Sequence, residues 1–406
     1  MNISSKYFSL SWIPILLLVL SGGSLVFVFF RKEVLYLTLF LFAGLFIYKS
    51  FFKNEIIKLV QLLTIFLSLL IFNYLNAPSQ QSTQKLFANF VIFGSSIFSA
   101  LFYSRQENKK LFVRHLFLVL KIIMFHALIN FLIYPLVNSQ LVEISNNRYS
   151  CYTFYNLFFY LKNTHGFSDL GVELVRNQGV FWEPGVLQIF LNLLLFIILF
   201  VEKKKGIIYW LTILTILTTV SSTGYLIMFV QLILSIRSDF KKNILFFPVS
   251  VFMLVLVYFV TSANLSDKIG ERSNSFQARY FDLIQPLQMV YEYPLSGVGL
   301  DDEQFMYLRQ KSIYSINLEV LDFSNLEEKG YTNSIIFFLA ATGIPFTILV
   351  LFCLYSQDLV FENKIWFFIF MIICLMSNPV LLRPFFLTFV MSGGIKLLDK
   401  FRWQTF

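Results

Sequence analysis

The sequence predicts an all-α, polytopic integral membrane protein of about twelve transmembrane helices, with eleven as the alternative count, and two large extracytoplasmic loops. Three observations carry that expectation. Hydrophobic residues make up 57% of the 406 residues and charged residues only 14%, far more apolar than the filling of a soluble core requires. Mean hydropathy is +0.71. The apolar residues are also gathered into runs of roughly 20, the length that crosses a bilayer.

The first run, Leu10 to Phe30, is longer than the apolar region of a signal peptide and has no cleavage site followed by a soluble domain, so it is expected to be retained. Further runs fall near 34–52, 56–75, 86–103, 111–137, 185–201, 206–220, 223–237, 243–261, 332–355, 364–377 and 383–398. The stretch 206–237 reads either as two short helices broken at SSTG (221–224) or as one long helix. The last pair, divided by SNP at 377–379, reads as two spans or as one that is bent. Residues 1–406 form a single polytopic domain on this reading.

Lysine and arginine in short loops set orientation, because such loops stay cytoplasmic. Lys49, Lys53, Arg105, Lys109, Lys110, Lys203, Lys204, Lys205, Arg237, Lys241, Lys242, Lys400 and Arg402 fall on one side of a twelve-span arrangement, with both termini cytoplasmic. Arg31 and Lys32 break the rule. The nearly uncharged NAPSQQSTQ (76–84) obeys it as an outer loop. The net charge of +9 is then mostly a topology signal, and no nucleic acid is expected as a partner.

Residues 138–184 and 262–331 are too long for connectors, and loops of that length are functional or disordered. Their Tyr, Phe and Trp content argues for folded structure resting on the bilayer. Within the second, SFQARYFDLIQPLQMVYEY (275–293) puts Phe276, Tyr280, Leu283, Leu287 and Val290 on one helical stripe, with Arg279 and Asp282 toward water.

At the end of the first loop stands RNQGVFWEPG (176–185). Pro184 suits a first helical turn, where its missing N–H would be unpaired anyway. Glu183 would sit at the positive end of that helix, and Trp182 is placed as an interfacial aromatic. Arg176 is left for function or for a lipid phosphate.

RNQGVFWEPGVLQIFLNLLLF resembles the Arg, Gly, then Glu-Pro-Gly motif at the head of a helix in the O-antigen polymerase and ligase superfamily of bacterial surface-polysaccharide assembly. TTVSSTGYLIMF (218–229) is similar to that family's serine-threonine-glycine helix break, and YEYPLSGVGLDD (291–302) to its Pro-Leu-x-Gly-x-Gly segment. YTNSIIFFLAATGIPFTILV (331–350) resembles the Asn-containing start of its next helix. The likeness covers roughly residues 172–350, carried by the order and spacing of the motifs, while the first 150 residues match in hydropathy only. Many members carry a histidine just before that Asn. Here Thr332 precedes Asn333, so no histidine role is carried over. His115 and His126, eleven apart on one helical face, read as packing residues, and His165 has no motif around it.

The resemblance implies transfer of a glycan from undecaprenyl diphosphate to a sugar hydroxyl of another lipid-linked repeat unit, at the outer face of the bacterial cytoplasmic membrane. A diphosphate leaving group calls for arginine forks, and an acceptor hydroxyl for a general base. Arg176, Arg272 and Arg279 are the candidates for the diphosphate. Glu183 is a candidate base or sugar ligand, although the helix dipole favours its weakly basic charged form. Trp182, Asp282 and Asn333 are candidate substrate contacts. Gly297 and Gly299 could form a backbone anion nest or a plain turn after Pro294.

Asp301, Asp302 and Glu303 could hold a divalent ion or form a solvated face, and the family implies no metal. Cys151, Cys353 and Cys374 lack ligand spacing, so no metal site and no disulfide are expected. With no ATPase-type phosphate loop, no cofactor is expected and the activated donor supplies the energy. The expected partners are the lipid-linked oligosaccharide, the bilayer, a chain-length regulator and a flippase. Two rival functions remain: a ligase that moves finished glycan to another acceptor, and a flippase, whose charges should cluster at mid-membrane. Arg114 and especially Lys121 in the fifth span favour the flippase. The charge in the two outer loops favours an enzyme.

Overall fold

A backbone in hydrocarbon must satisfy its own N–H and C=O groups, so the apolar runs become helices. In the computed structural model, which describes residues 10–48, 53–146, 149–161, 175–239, 273–313 and 332–403, they are α1 (Ile13–Leu20), α2 (Leu25–Phe29), α3 (Arg31–Tyr48), α4 (Lys53–Asn76), α5 (Thr83–Ser104) and α6 (Gln106–Val137). There follow α7 (Pro184–Phe196, continued as a π-helix over Ile197–Glu202), α8 (Ile207–Thr218), α9 (Ser222–Asp239), α10 (Ser273–Glu292), α11 (Asp302–Ile313), α12 (Ser334–Ser356), α13 (Lys364–Ser377) and α14 (Pro384–Trp403). Among the described residues five helical stretches are long and apolar enough to cross a membrane: Asn54–Asn76, Thr83–Ser104, Asn108–Gln140, Pro184–Glu202 and Ser334–Ser356. The apolar helices Ile207–Thr218, Ser222–Ser235 and Lys364–Ser377 are shorter. The chain is an integral membrane protein. The expected span 243–261 lies outside the described residues.

Several expectations are corrected or decided. The expected first span, Leu10 to Phe30, is interrupted at Gly22, Gly23 and Ser24, where the Ser24 hydroxyl accepts from the Phe27 N–H at 3.2 Å and starts α2. The stretch 206–237 is two helices, with Val220 at φ 48° in the gap. The last pair is also two helices, α13 and α14. In α10 the side chains described show Leu283 and Leu287 exposed, while Gln285 and Met289 turn to the protein. The apolar stripe read from the sequence is therefore, over this half, the face left for lipid. Phe276, Arg279, Tyr280 and Asp282 have side chains outside the described set.

The all-α expectation fails in the first large loop. There β1 (Val142–Asn146), β2 (Tyr149–Phe154) and β3 (Phe158–Leu161) form an antiparallel sheet in the order β1-β2-β3. Val142 is registered with Thr153, and Cys151 with Leu161. Tyr155 and Asn156 both take positive φ, the twist a tight hairpin turn needs. Helix α6 anchors the sheet: Asn130 Nδ2 donates to the Phe159 carbonyl at 3.2 Å and Asn130 Oδ1 accepts the Phe159 N–H at 3.0 Å. His126 Nε2 lies 2.8 Å from the Leu157 carbonyl and its ring stacks on Phe158.

The two ends of the bundle differ in chemistry. At one end Arg105 pairs with Glu55, Lys58 with Asp399 at 2.6 Å, and Asp358 with Lys109, Lys364 (3.2 Å) and Lys396 (3.7 Å). The opposite end carries the sheet, residues 176–185, the loop 293–301 and the loop 378–383.

That loop is fastened by a break in α12. Pro345 has no N–H for the Ala341 carbonyl, and Gly343 (φ 79°) turns the Ile344 N–H away from Ala340. The freed carbonyls accept from Val298 and Gly299, both at 2.9 Å, and Ile344 N–H donates to Pro294 at 2.8 Å. Asn73 Nδ2 adds bonds to Ser296 and Ala341 carbonyls at 2.7 and 2.6 Å. At Gly297 (φ 67°) a Cβ would lie 2.4 Å from the Ala341 carbonyl carbon, so only glycine permits this approach.

Candidate functional site

RNQGVFWEPG is threaded between two interrupted helices. On one side it meets the gap between α8 and α9, whose last carbonyls lack helical partners. The Asn177 N–H donates to the Thr218 carbonyl at 3.0 Å, and Arg176 Nε to the Thr219 carbonyl at 3.3 Å. Asn177, 2% exposed, also gives Nδ2 to the Ala127 carbonyl (2.8 Å) and to Thr218 Oγ1 (2.9 Å), while its Oδ1 accepts from the Gly179 N–H (3.1 Å) and Asn130 Nδ2 (3.3 Å). On the other side it pairs with the gap between α1 and α2. Leu25 N–H reaches the Val180 carbonyl at 2.8 Å and Trp182 N–H the Gly23 carbonyl at 3.3 Å. Each gap supplies the backbone groups that the inserted strand lacks.

This threading presents four polar side chains together. Arg176 is half-buried, and its Nη nitrogens make no hydrogen bond among the described residues. Burial lowers the Arg176 pKa from its ordinary value, opposed by the nearby Glu183 carboxylate. Arginine stays cationic at any physiological pH. Tyr225, from the start of α9, donates its hydroxyl to the Leu217 carbonyl at 2.6 Å. Tyr149 of β2 donates to Gln178 Oε1 at 3.2 Å and meets Trp182 edge to face at 6.4 Å. Burial raises the Tyr149 pKa well beyond the phenol range, and the Glu183 charge adds to it. The guanidinium, the carboxylate and two neutral phenols therefore share one site. Two buried donors in it, Gln178 Nε2 and Trp182 Nε1, have no hydrogen-bond partner among the described residues.

Glu183 is the N-cap residue of α7, with Pro184 in the first turn as expected, but its side chain does not cap the helix. Its backbone carbonyl accepts from Val186 and Leu187, at 3.1 and 3.2 Å. The carboxylate is left beside Gly185, where Asn378 Oδ1 also closes in, so that a Cβ there would meet Glu183 Oε1 at 3.3 Å and Asn378 Oδ1 at 2.8 Å.

Other candidates divide. Asn333 caps α12, its Oδ1 accepting from Ile335 and Ile336 N–H groups at 3.1 Å, so only its amide nitrogen could face a substrate. The nest at Gly297 and Gly299 is corrected: the N–H groups of 297, 298 and 299 go to the Tyr293, Ala340 and Ala341 carbonyls and leave none for an anion. Asp301 is not part of a solvated acidic face. It is 4% exposed, and its carboxylate takes the Ser82 and Glu303 N–H groups at 3.0 Å. Arg272 lies outside the described residues, as do the side chains of Arg279 and Asp282. Lys121 sits over the Phe117 ring at 4.7 Å, a cation–π contact that accounts for it without a translocation path.

Sequence reasoning missed Tyr149, Gln178, Tyr225 and Asn378. Tyr225 stood within the quoted helix break and Asn378 within the polar SNP, but neither carried a sign that it would meet residues 176–185. Residues 207–351 match the sequence model of a family described as O-antigen ligase. The match spans the gap between α8 and α9, the 293–301 loop and the head of α12, and begins after residues 176–185. No curated protein and no solved structure matches the chain.

Proposed function

We propose that the chain, whose residues 207–351 match the sequence model of a family described as O-antigen ligase, is a polysaccharide polymerase at the outer face of the bacterial cytoplasmic membrane. It transfers the glycan of one undecaprenyl-diphosphate-linked unit onto a sugar hydroxyl of another. The observation that supports this best is the docking of Arg176, beside the Glu183 carboxylate, onto the break that opens inside the matched domain. In the reaction the acceptor oxygen attacks the anomeric carbon, and the bond from that carbon to the diphosphate oxygen breaks. The lipid diphosphate leaves with the electron pair. Arg176 offers its Nη donors to the charge that develops there. Glu183 takes the acceptor proton, Gln178 Nε2 and Trp182 Nε1 offer donors to the sugar, and the Tyr149 hydroxyl oxygen offers an acceptor. Chain-length regulator and flippase are the partners this reading implies.

A ligase is the second reading, favoured by the description of the matched family. Purified protein in detergent, given synthetic lipid-diphosphate repeat units and no nucleotide, should lengthen the glycan. Transfer only to a different, added acceptor would establish the ligase. No transfer in detergent together with lipid scrambling in sealed liposomes would refute both in favour of a flippase.

A further inference from the structure

Asn378 stands at the C-terminal end of α13, outside the matched residues 207–351, and none of the chemistry assigned to Arg176 and Glu183 uses it. It is 3% exposed. Its backbone is held firmly, the carbonyl accepting from the Ser334 hydroxyl at the head of α12 and from the Val380 N–H at 2.9 Å. One half of its amide has a local duty: Nδ2 donates at 3.4 Å to the Cys374 carbonyl, one of those that a helix end leaves unpaired. The other half has none. Oδ1 accepts no hydrogen bond among the described residues, an unfavourable state for an oxygen so little exposed to water unless a ligand brings the donor.

That oxygen points over Gly185. A Cβ there would lie 2.8 Å from Asn378 Oδ1 and 3.3 Å from Glu183 Oε1, so two proton-accepting oxygens converge on the space that glycine leaves. Backbone conformation does not call for glycine at this position, which has no left-handed φ and lies in the first turn of α7, where alanine is the better helix former. The space does. Gly185 and Glu183 are both half-buried, so the space is reached from the surface. The nearby Arg176 guanidinium disfavours a metal ion between the two oxygens. A lone hydroxyl has one proton and satisfies one of them. Two neighbouring hydroxyls satisfy both.

We propose that Glu183 and Asn378 together recognise a vicinal diol of the acceptor sugar, and that Asn378 thereby selects which hydroxyl attacks. The proposal rests on the polymerase reading and on Glu183 as its base. Glu183 takes the proton of the attacking hydroxyl, whose oxygen forms the bond to the anomeric carbon as the lipid diphosphate leaves with the electron pair. Asn378 Oδ1 accepts from the hydroxyl on the adjacent carbon, which keeps its proton throughout. An acceptor turned to present any other hydroxyl, with none beside it in that place, would leave the amide oxygen without a donor and is rejected.

The test is a double-mutant cycle between protein and substrate, run on the purified full chain in detergent. The acceptors are synthetic lipid-diphosphate repeat units each lacking one hydroxyl, and the donor is a unit capped so that it cannot itself accept. With the wild-type chain, loss of the attacking hydroxyl should abolish transfer, and loss of its ring neighbour should lower kcat/KM about tenfold or more. Asn378→Ala should lose a similar factor with the complete acceptor and nothing further with the second deoxy acceptor, because the partner is already gone. Asn378→Asp keeps an oxygen in the same place and should keep the discrimination at a lower overall rate. Gly185→Ala should melt no lower than wild type while transfer falls about tenfold or more, and with Asn378→Asp it carries the test if Asn378→Ala does not fold. Deoxy penalties that Asn378→Ala retains in full would overturn the proposal. So would a wild-type chain indifferent to every hydroxyl but the attacking one, or normal kcat/KM in Gly185→Ala. Glycan lengthening in any of these cases leaves the polymerase reading standing. No transfer by the wild-type chain to any lipid-linked acceptor would overturn that reading, and this proposal with it.

Discussion

Replacing Asn177 by Ala should separate the positioning of the site from its chemistry. The amide of Asn177 joins α6, the end of α8 and the turn at Gly179 through four hydrogen bonds. Losing it does not orphan every partner. Thr218 Oγ1 keeps its own bond to Thr215, and Asn130 keeps its bond to Phe159. The Gly179 N–H is different, because Asn177 Oδ1 is its acceptor and the position is buried. One stranded buried donor costs roughly 1–3 kcal/mol, and with the net loss of the other bonds the total should be about 2–4 kcal/mol. The strand carrying Arg176 should then loosen from Thr219, and turnover should fall further than the folded fraction does. Unfolding in detergent micelles gives the first quantity, and glycan lengthening with lipid-diphosphate repeat units gives the second. Asn177→Asp tests the cause: it keeps the acceptor for Gly179 but sets a carboxylate against the Ala127 carbonyl, so it should be destabilised as well. A loss below about 0.5 kcal/mol with normal turnover in Asn177→Ala would refute the view that this amide holds the site together.

Arg176→Lys keeps the charge and loses the planar fork, so its turnover should fall by more than its stability change explains, each tenfold loss being about 1.4 kcal/mol of transition-state stabilisation. Glu183→Gln should abolish lengthening with donor binding intact; if lengthening continues at the normal rate, Glu183 is not the base. Gly297→Ala should destabilise by roughly 2 kcal/mol or more, since it combines a positive φ with a backbone clash, and a variant that melts normally would mean the 293–301 loop is not clamped to α12. At the opposite end, burial alone would push the Asp358 carboxyl up, but Lys109 and Lys364 outweigh it and hold its pKa below the ordinary value. A depressed pKa gives stability that is present above the unfolded value of about 3.9 and lost as pH falls through the folded one. Asp358→Asn should therefore lower the melting temperature at pH 7, with the gap to wild type closing in that acid window; a gap that persists at pH 2 would point to packing instead.

Local pattern was enough for much of the frame. Apolar runs placed the helices, because a chain in lipid has to bond to itself and a run of about 20 apolar residues has one economical way to do so. Pro184 marked the start of α7, and the small polar residues at 221–224 fell beside a true interruption, because proline geometry and short polar side chains act on their immediate neighbours. The sheet of the first loop was missed, since short strands gain their stability from one another and from Asn130 and His126 on α6 rather than from their own sequence. The site was legible only in part for the same reason. Arg176, Trp182 and Glu183 stood out in one motif, but Tyr149, Tyr225 and Asn378 join them from elements far apart in the chain. The glycines at 297 and 299 left an anion nest and a plain turn both open; the Gly297 N–H goes to Tyr293, and those of Val298 and Gly299 go to the carbonyls that Pro345 and Gly343, more than 40 residues later, release. Arg31 and Lys32 were a misfit in one dimension. Tertiary structure sets them across a cavity from Lys85 and Arg383, residues 50 to 350 positions away, and no local periodicity encodes a convergence of that kind.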